Sequence, residues 1–278
     1  MEWLEENSLP IGNWAKSGVD WLTSNMSGFF EALSAGIEAI VGAALWLLQL
    51  PHPLLFVTLV GALALYLHRS IWLALFSVFG LLLIINLGYW AETMETLALV
   101  LAATTTCMVI GVPIGILAAR RPVFYKVLQP ILDLMQTIPT FVYLIPALVL
   151  FGLGAVPALI ATVVFSVPAP IRLTYLGVSS TPPALIETAQ AFGASDRMIL
   201  WKVEIPWAMP QILAGLTQTI MLSLSMVVIA ALVGASGLGV PTLRALNQVN
   251  IAKGFEVGIA IVIIAIVLDR LLRFKGKN

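Results

Sequence analysis

Asp133, Arg172 and Asp269 are the ionisable side chains read within the long apolar stretches of this sequence, each close to one end of its stretch. A carboxylate or guanidinium there can reach water along its own stem or pair with an opposite charge, so the placement suits anchoring and pairing. A proton relay needs an acid or base at mid-membrane, and none stands clearly there. The other reactive residue types are sparse. Cys107, the single cysteine, lies in an apolar run and reads as a small buried hydrophobe, with no second thiol for a disulfide or a metal cluster. His52 and His68 sit at the ends of apolar runs, far apart in sequence, and read as interface positions. The spacings that mark zinc hydrolases, serine hydrolases and P-loop nucleotide binding are absent. The chain is therefore expected not to be an enzyme and to carry no metal or cofactor of its own.

The elements around these residues are membrane spans. The chain of 278 residues is 60% hydrophobic and only 10% charged, where soluble domains are about one-quarter charged. A helix needs about 20 residues to cross the hydrocarbon core. The apolar runs predict about seven spans, near 53–68, 71–88, 95–119, 129–152, 156–176, 211–234 and 255–272. The first is short for a crossing. An earlier run, "IEAIVGAALWLLQL", could be an eighth span, but its length and Glu38 favour a helix lying in the interface.

Basic residues orient the bundle, because cytoplasmic loops carry the excess of Lys and Arg. With the C-terminal "RLLRFKGK" inside, Arg69, Arg120, Arg121, Lys126, Arg172, Arg197 and Lys202 are inside too, and only Lys16, Arg244 and Lys253 fall outside. This arrangement predicts an extracytoplasmic N-terminus and a cytoplasmic C-terminus. Residues 1–51, with Trp14, Trp21, Phe29 and Phe30 among polar residues, then read as an extracytoplasmic or interfacial amphipathic segment, and 52–278 as the transmembrane domain. "MEWLEENSLP" lacks the basic start and apolar core of a signal peptide and should be retained. The 14 basic and 14 acidic residues balance, so no basic field suggests nucleic acid as a partner.

Helix-breaking residues concentrate in the middle of the chain: "GVPIG" at 111–115, then Pro130, Pro139, Pro146, Pro157, Pro168 and Pro170. Proline frees a carbonyl that neighbours or a polar cavity must satisfy, so irregular spans tend to line a pathway. Gln136, Thr137, Pro139 and Phe141 are the pathway candidates. A secondary transporter should add a buried carboxylate relay and interrupted helices in both halves, and neither is found, so the energy for transport must come from elsewhere.

Between two spans lies "ETAQAFGASDRMILWKVEIP", which reads as a water-facing helical hairpin over 181–206. Thr181 is placed to cap a helix that opens with Pro182 and Pro183, and Leu185, Ala189 and Phe192 form one apolar face. Gly193 supplies a left-handed stop, Ser195 caps a second short helix, and Pro206 ends it. Gly177, outside the hairpin, should accept a side chain more readily than Gly193.

Glu187, Thr188 and Ala189, then three residues to Gly193, nine to Val203, one to Ile205 and on to Pro206, resemble the coupling motif E-A-A-x3-G-x9-I-x-L-P of ABC importer permeases. Thr188, Val203 and Ile205 depart mildly from it. "LDLMQTIPTFVYLIPALVLFGLG", "FGASDRMILWKVEIPWAMP" and "LSMVVIAALVGASGLG" narrow the likeness: from about residue 50 onward the chain is similar to the permease subunit of the glycine betaine/proline betaine ABC importer family. The resemblance implies an all-α integral membrane protein with a type I ABC importer permease bundle in the bacterial inner membrane. It implies a homodimer of permeases, two cytoplasmic ATPase subunits that bind the ATP and Mg, and an extracytoplasmic substrate-binding protein. Transport by alternating access is implied, with glycine betaine as solute. A choline or carnitine permease and an ATP-independent secondary transporter are the alternatives. The resemblance assigns Glu187, Ala189, Phe192, Gly193, Ser195 and Pro206 to ATPase coupling, and Gly234, Gly237 and Gly239 of "GASGLG" to the outer gate or docking face.

Overall fold

The computed structural model describes residues 10–272 and is helical, with no strand among the described residues. Among the described residues fourteen α-helices follow one another: α1 (Ile11–Asn25), α2 (Ser27–Gln49), α3 (Pro53–His68), α4 (Ile71–Asn86), α5 (Trp90–Arg120), α6 (Pro122–Thr137), α7 (Thr140–Phe151), α8 (Ala155–Ser166), α9 (Pro168–Ser179), α10 (Pro183–Ala191), α11 (Asp196–Ile199), α12 (Ile205–Ala230), α13 (Gly239–Asn247) and α14 (Ile251–Leu272). A π turn, Leu200–Glu204, joins α11 to α12, and a 3-10 turn, Ala231–Val233, closes α12.

Among the described residues five helical stretches are long and apolar enough to cross a membrane: Ser27–Gln49, Trp90–Arg120, Ala155–Ser179, Asp196–Val233 and Ile251–Leu272. The pair α6 and α7 would make a sixth, but it is bent by 93°. The span expected over 129–152 is therefore broken at Ile138–Pro139. Pro139 cannot donate a backbone hydrogen bond and biases Ile138 toward extended backbone, and Ile138 has φ −64° and ψ 130°. The Met135 carbonyl, freed because Pro139 has no N–H, accepts from the Tyr143 hydroxyl, which also lies 3.3 Å from Leu134 O, itself bonded to Ile138 N at 3.1 Å. α3 and α4, at 16 residues each, are shorter than a full crossing at about 1.5 Å per residue.

α5, α9 and α12 form the centre, and close approach explains why. "GVPIG" does not break its span, because α5 stays helical through Pro113 to Arg120. Its glycines serve packing instead. A Cβ on Gly111 would stand 2.7 Å from Pro170 Cγ, and one on Gly115 would stand 2.7 Å from Ile171 O, so α9 can approach only a bare helix face. Gly177 meets α12 in the same way: a Cβ there would lie 2.9 Å from the Cβ atoms of Ala208 and Gln211. It is therefore not the permissive glycine that the sequence suggests.

The ends of the bundle are defined by its contacts. Arg120 at the end of α5 bonds to residues of the 183–204 region, so that end is the hairpin end. Trp90, where α5 begins, marks the opposite end. Both ends of α2 meet this opposite end. Phe30 contacts Phe151 edge-on at 5.3 Å, four residues before α8 begins, and α2 stops just before α3, whose Phe56 packs on Trp90 at 5.5 Å. Between its ends α2 packs along α5 and α8, with Leu33, Ile37 and Ile40 lining one pocket with Thr106, Leu159 and Val163, and none of its residues is buried.

Candidate functional site

The hairpin is built by two local rules. α10 ends at Ala191, and Gly193 adopts φ +78°, where a side chain would strain the backbone, while its N–H donates to Gln190 O at 2.9 Å. The Ser195 hydroxyl then accepts from Met198 N at 3.4 Å and opens α11. Two details differ from the sequence reading. Thr181 does not cap α10. It is buried, its hydroxyl donates to Val178 O at 2.9 Å, and Pro182 occupies the cap position. Pro206 does not end the second limb either. It stands in the first turn of α12, directly after the π turn, and α11, the π turn and α12 run on as one stretch from Asp196 to Val233.

The first limb has no buried residue. Phe192 is 88% exposed, and Leu185, Met198 and Trp201 are also exposed, giving the hairpin an apolar surface. Glu187 is exposed beside it and Ala189 half-buried. The second limb is tied down. Arg120 donates to Glu204 Oε2 at 2.9 and 3.2 Å and to the Asp196 carbonyl at 3.0 Å. In the sequence Arg120 serves only to mark topology. A basic residue ending one span and an acid ahead of another were the available signal.

α6 leaves the hairpin end at Pro122, and α7 reaches the opposite end at Phe151, so Gln136, Thr137, Pro139 and Phe141 fall at the break between the two ends. Thr137, Pro139 and Phe141 are exposed in the single chain and Gln136 is half-buried. Asp133 and Arg172 pair at 2.6 Å nearer the hairpin end, beside Tyr125 and Tyr175 stacked with centroids 3.5 Å apart.

At the opposite end the 234–239 loop is clamped to α5. Leu238 N donates to Thr96 Oγ1 at 2.8 Å, and the Glu95 carboxylate faces the Ser236 hydroxyl and the Gly237 backbone N–H. Gly237 has φ +115°, and a Cβ there would stand 2.6 Å from Thr96 Oγ1. Gly154 N donates to Val233 O at 2.8 Å and a Cβ on Gly234 would lie 3.5 Å from Gly154 N, so Gly234 sits against the α7–α8 loop, whereas Gly239 sits against the end of α12. A Cβ on Gly239 would lie 2.2 Å from Val227 O. Tyr89 donates to Glu256 at 3.3 Å at the same end, and burial together with that carboxylate raises the phenol above its usual value, keeping it a donor. Glu95, Thr96 and Glu256 were not singled out in the sequence, since each lies at the edge of an apolar run.

A bundle of apolar spans, one of them broken, a glycine-clamped loop at one end and an exposed amphipathic hairpin at the other together define a membrane transport subunit. The sequence pattern of the family described as "Binding-protein-dependent transport system inner membrane component" matches residues 111–274. This chain belongs to that family. It is 45% identical to the glycine betaine transport system permease protein OpuAB of Bacillus subtilis, over 97% of this chain and 96% of that one. It is 41% identical to the glycine betaine/proline betaine transport system permease protein ProW of Escherichia coli, over 97% of this chain and 76% of that one. Among solved structures, it is similar to a chain of the inward-facing MetNI methionine ABC transporter, with TM-score 0.59, 25% identity, and 66% of this chain and 94% of that one covered.

Proposed function

We propose that this chain is the permease of an ATP-driven importer for glycine betaine or a related quaternary-ammonium osmoprotectant, working as a pair of identical copies. Two ATPase subunits seat on the hairpins from the cytoplasm and hold the ATP and its Mg, and a substrate-binding protein delivers solute at the opposite end. The N-terminus is extracytoplasmic and the C-terminus cytoplasmic, and α1 and α2 lie at the outer interface. The observation that carries this reading is the hairpin: an exposed apolar limb ending at Gly193, continued by a limb bonded to α5 and running unbroken into α12.

In this reading each residue has a mechanical task. Leu185, Ala189 and Phe192 seat the first limb, with Glu187 beside them, and Gly193 and Ser195 set the angle between limbs. Arg120 and Glu204 make the second limb move with α5. The break at Gln136–Phe141 provides polar groups and irregular backbone to the pathway, and the 234–239 loop closes the outer end. A betaine has no net charge and needs no counter-charge along its path, in keeping with the lack of an unpaired acid at the α6–α7 break. Competition against labelled glycine betaine uptake in cells expressing the whole importer tests the solute. Proline betaine, carnitine and choline should compete in some rank order. Competition by primary-amine amino acids, with none from betaines, would refute the assignment.

A further inference from the structure

A continuous groove runs along the outward face of the α4–α14 pair. One stretch, about 680 Å³, has an apolar lining that includes Phe76, Phe255, Gly258, Ile259, Val262 and Ile266. A second, about 540 Å³, shares Phe76 and Ile266 with the first and continues to His68, Ser70, Trp72 and Arg270. The helices are antiparallel and touch at Gly80, where a Cβ would stand 2.7 Å from Ile263 Cγ2. The trough therefore has an apolar length and one polar mouth. The mouth is at the hairpin end, because the His68 ring nitrogen meets Leu271 O at 3.3 Å, near the end of α14.

We propose that this groove holds one anionic phospholipid, with its phosphate at the mouth and an acyl chain along α14. The mouth combines a guanidinium, a hydroxyl and an imidazole with Trp72, which is 79% exposed. Indole rings favour the headgroup level, and arginine is the side chain suited to forked recognition of phosphate. Arg270 is only loosely engaged by its own chain, its Nε lying 4.0 Å from Asp269 Oδ2, with 58% of the side chain exposed. Arg69 stands in the α3–α4 turn between His68 and Ser70, two of the mouth residues. The depth also fits. One leaflet of the hydrocarbon core is about 15 Å thick, or about ten residues of helix, which carries a chain from Arg270 to the level of Ala260, next to Ile259 of the apolar stretch.

A second copy of this chain is the rival occupant, and charge disfavours it. A two-fold axis along the membrane normal would bring both Arg270 side chains to the same depth across the contact, like against like. A lipid phosphate supplies the opposite sign at that point.

The test uses the purified importer in detergent and native mass spectrometry after addition of phosphatidylglycerol or phosphatidylcholine. Wild-type protein should retain phosphatidylglycerol in preference to phosphatidylcholine. Arg270→Gln should lower that retention about fivefold, the factor one arginine near an anionic surface contributes. Gly258→Leu should lower retention of both lipids by filling the trough, and nothing lies within 4 Å of its Cβ to oppose folding. Equal retention of the two lipids, unchanged in both variants, would overturn the proposal. Displacement of phosphatidylglycerol by excess inorganic phosphate would assign the mouth to a free anion instead. A disulfide between copies carrying Ile266→Cys in a Cys107→Ser background would assign the groove to the permease pair.

Discussion

Arg120 and Glu204 stand 84 residues apart in the chain and are joined by two hydrogen bonds, at 2.9 and 3.2 Å. The pair locks the last turn of α5 to the π turn ahead of α12, so the second limb of the hairpin and two central spans form one body. Pairing is closer than on an open surface, with 32% of the arginine side chain and 12% of the glutamate side chain exposed.

Arg120→Ala should therefore destabilise the protein by about 1–3 kcal/mol, because it leaves a largely buried carboxylate and the Asp196 carbonyl without their donor. Asp133→Asn should cost less than about 1 kcal/mol, since that ion pair is more open to solvent. Thermal unfolding of the detergent-solubilised variants measures both. A larger loss from Asp133→Asn would reverse the ranking.

At the opposite end, Thr96→Val should remove the acceptor of the buried Leu238 N–H and cost about 1–3 kcal/mol. Gly237→Ala should impair uptake more than Gly12→Ala, which has open space around its Cβ. Uptake normalised to membrane abundance checks the comparison, and equal uptake would mean that the close fit of this loop to α5 is not used.

Much of this arrangement was legible in the sequence where a residue obeys a local rule. Gly193 and Ser195 were placed from backbone preference and capping alone, and the exposed apolar face of α10 followed from its spacing. Relations across the chain were not legible. "GVPIG" reads as a break because proline and glycine are weak helix formers, yet α9 packs against that face and the helix continues. Gly177 looked permissive because nothing in the sequence says that Ala208 lies against it. Pro206 looked like an end because a π turn carries no sequence signature. The Arg120–Glu204 bond depends on two spans ending at the same level, which apolar run lengths set only to within a few residues.

Orientation can be tested on exposed residues that flank the bundle. Ser8 and Lys277, the natural probes near the two termini, lie outside the described residues, so Lys16→Cys and Lys126→Cys in a Cys107→Ser background are used instead. They should react with a membrane-impermeant maleimide from opposite sides. Reaction from one side would mean that α2 crosses the membrane, although both its ends contact the same end of the bundle.

The central claim is that the hairpin receives force from a partner ATPase, and Gly193→Val tests it most directly. A β-branched residue at φ +78° incurs about 1–2 kcal/mol of backbone strain at the bend without touching any neighbour. Gly177 is no control, since a side chain there strikes α12. Gly28→Val is a better one, with equally open surroundings and a place in the first turn of α2. The measurement is glycine betaine uptake and ATPase co-purification at matched membrane abundance. The account predicts that Gly193→Val abolishes uptake and weakens ATPase attachment while Gly28→Val does neither. Wild-type uptake by Gly193→Val with its ATPase still bound would contradict it.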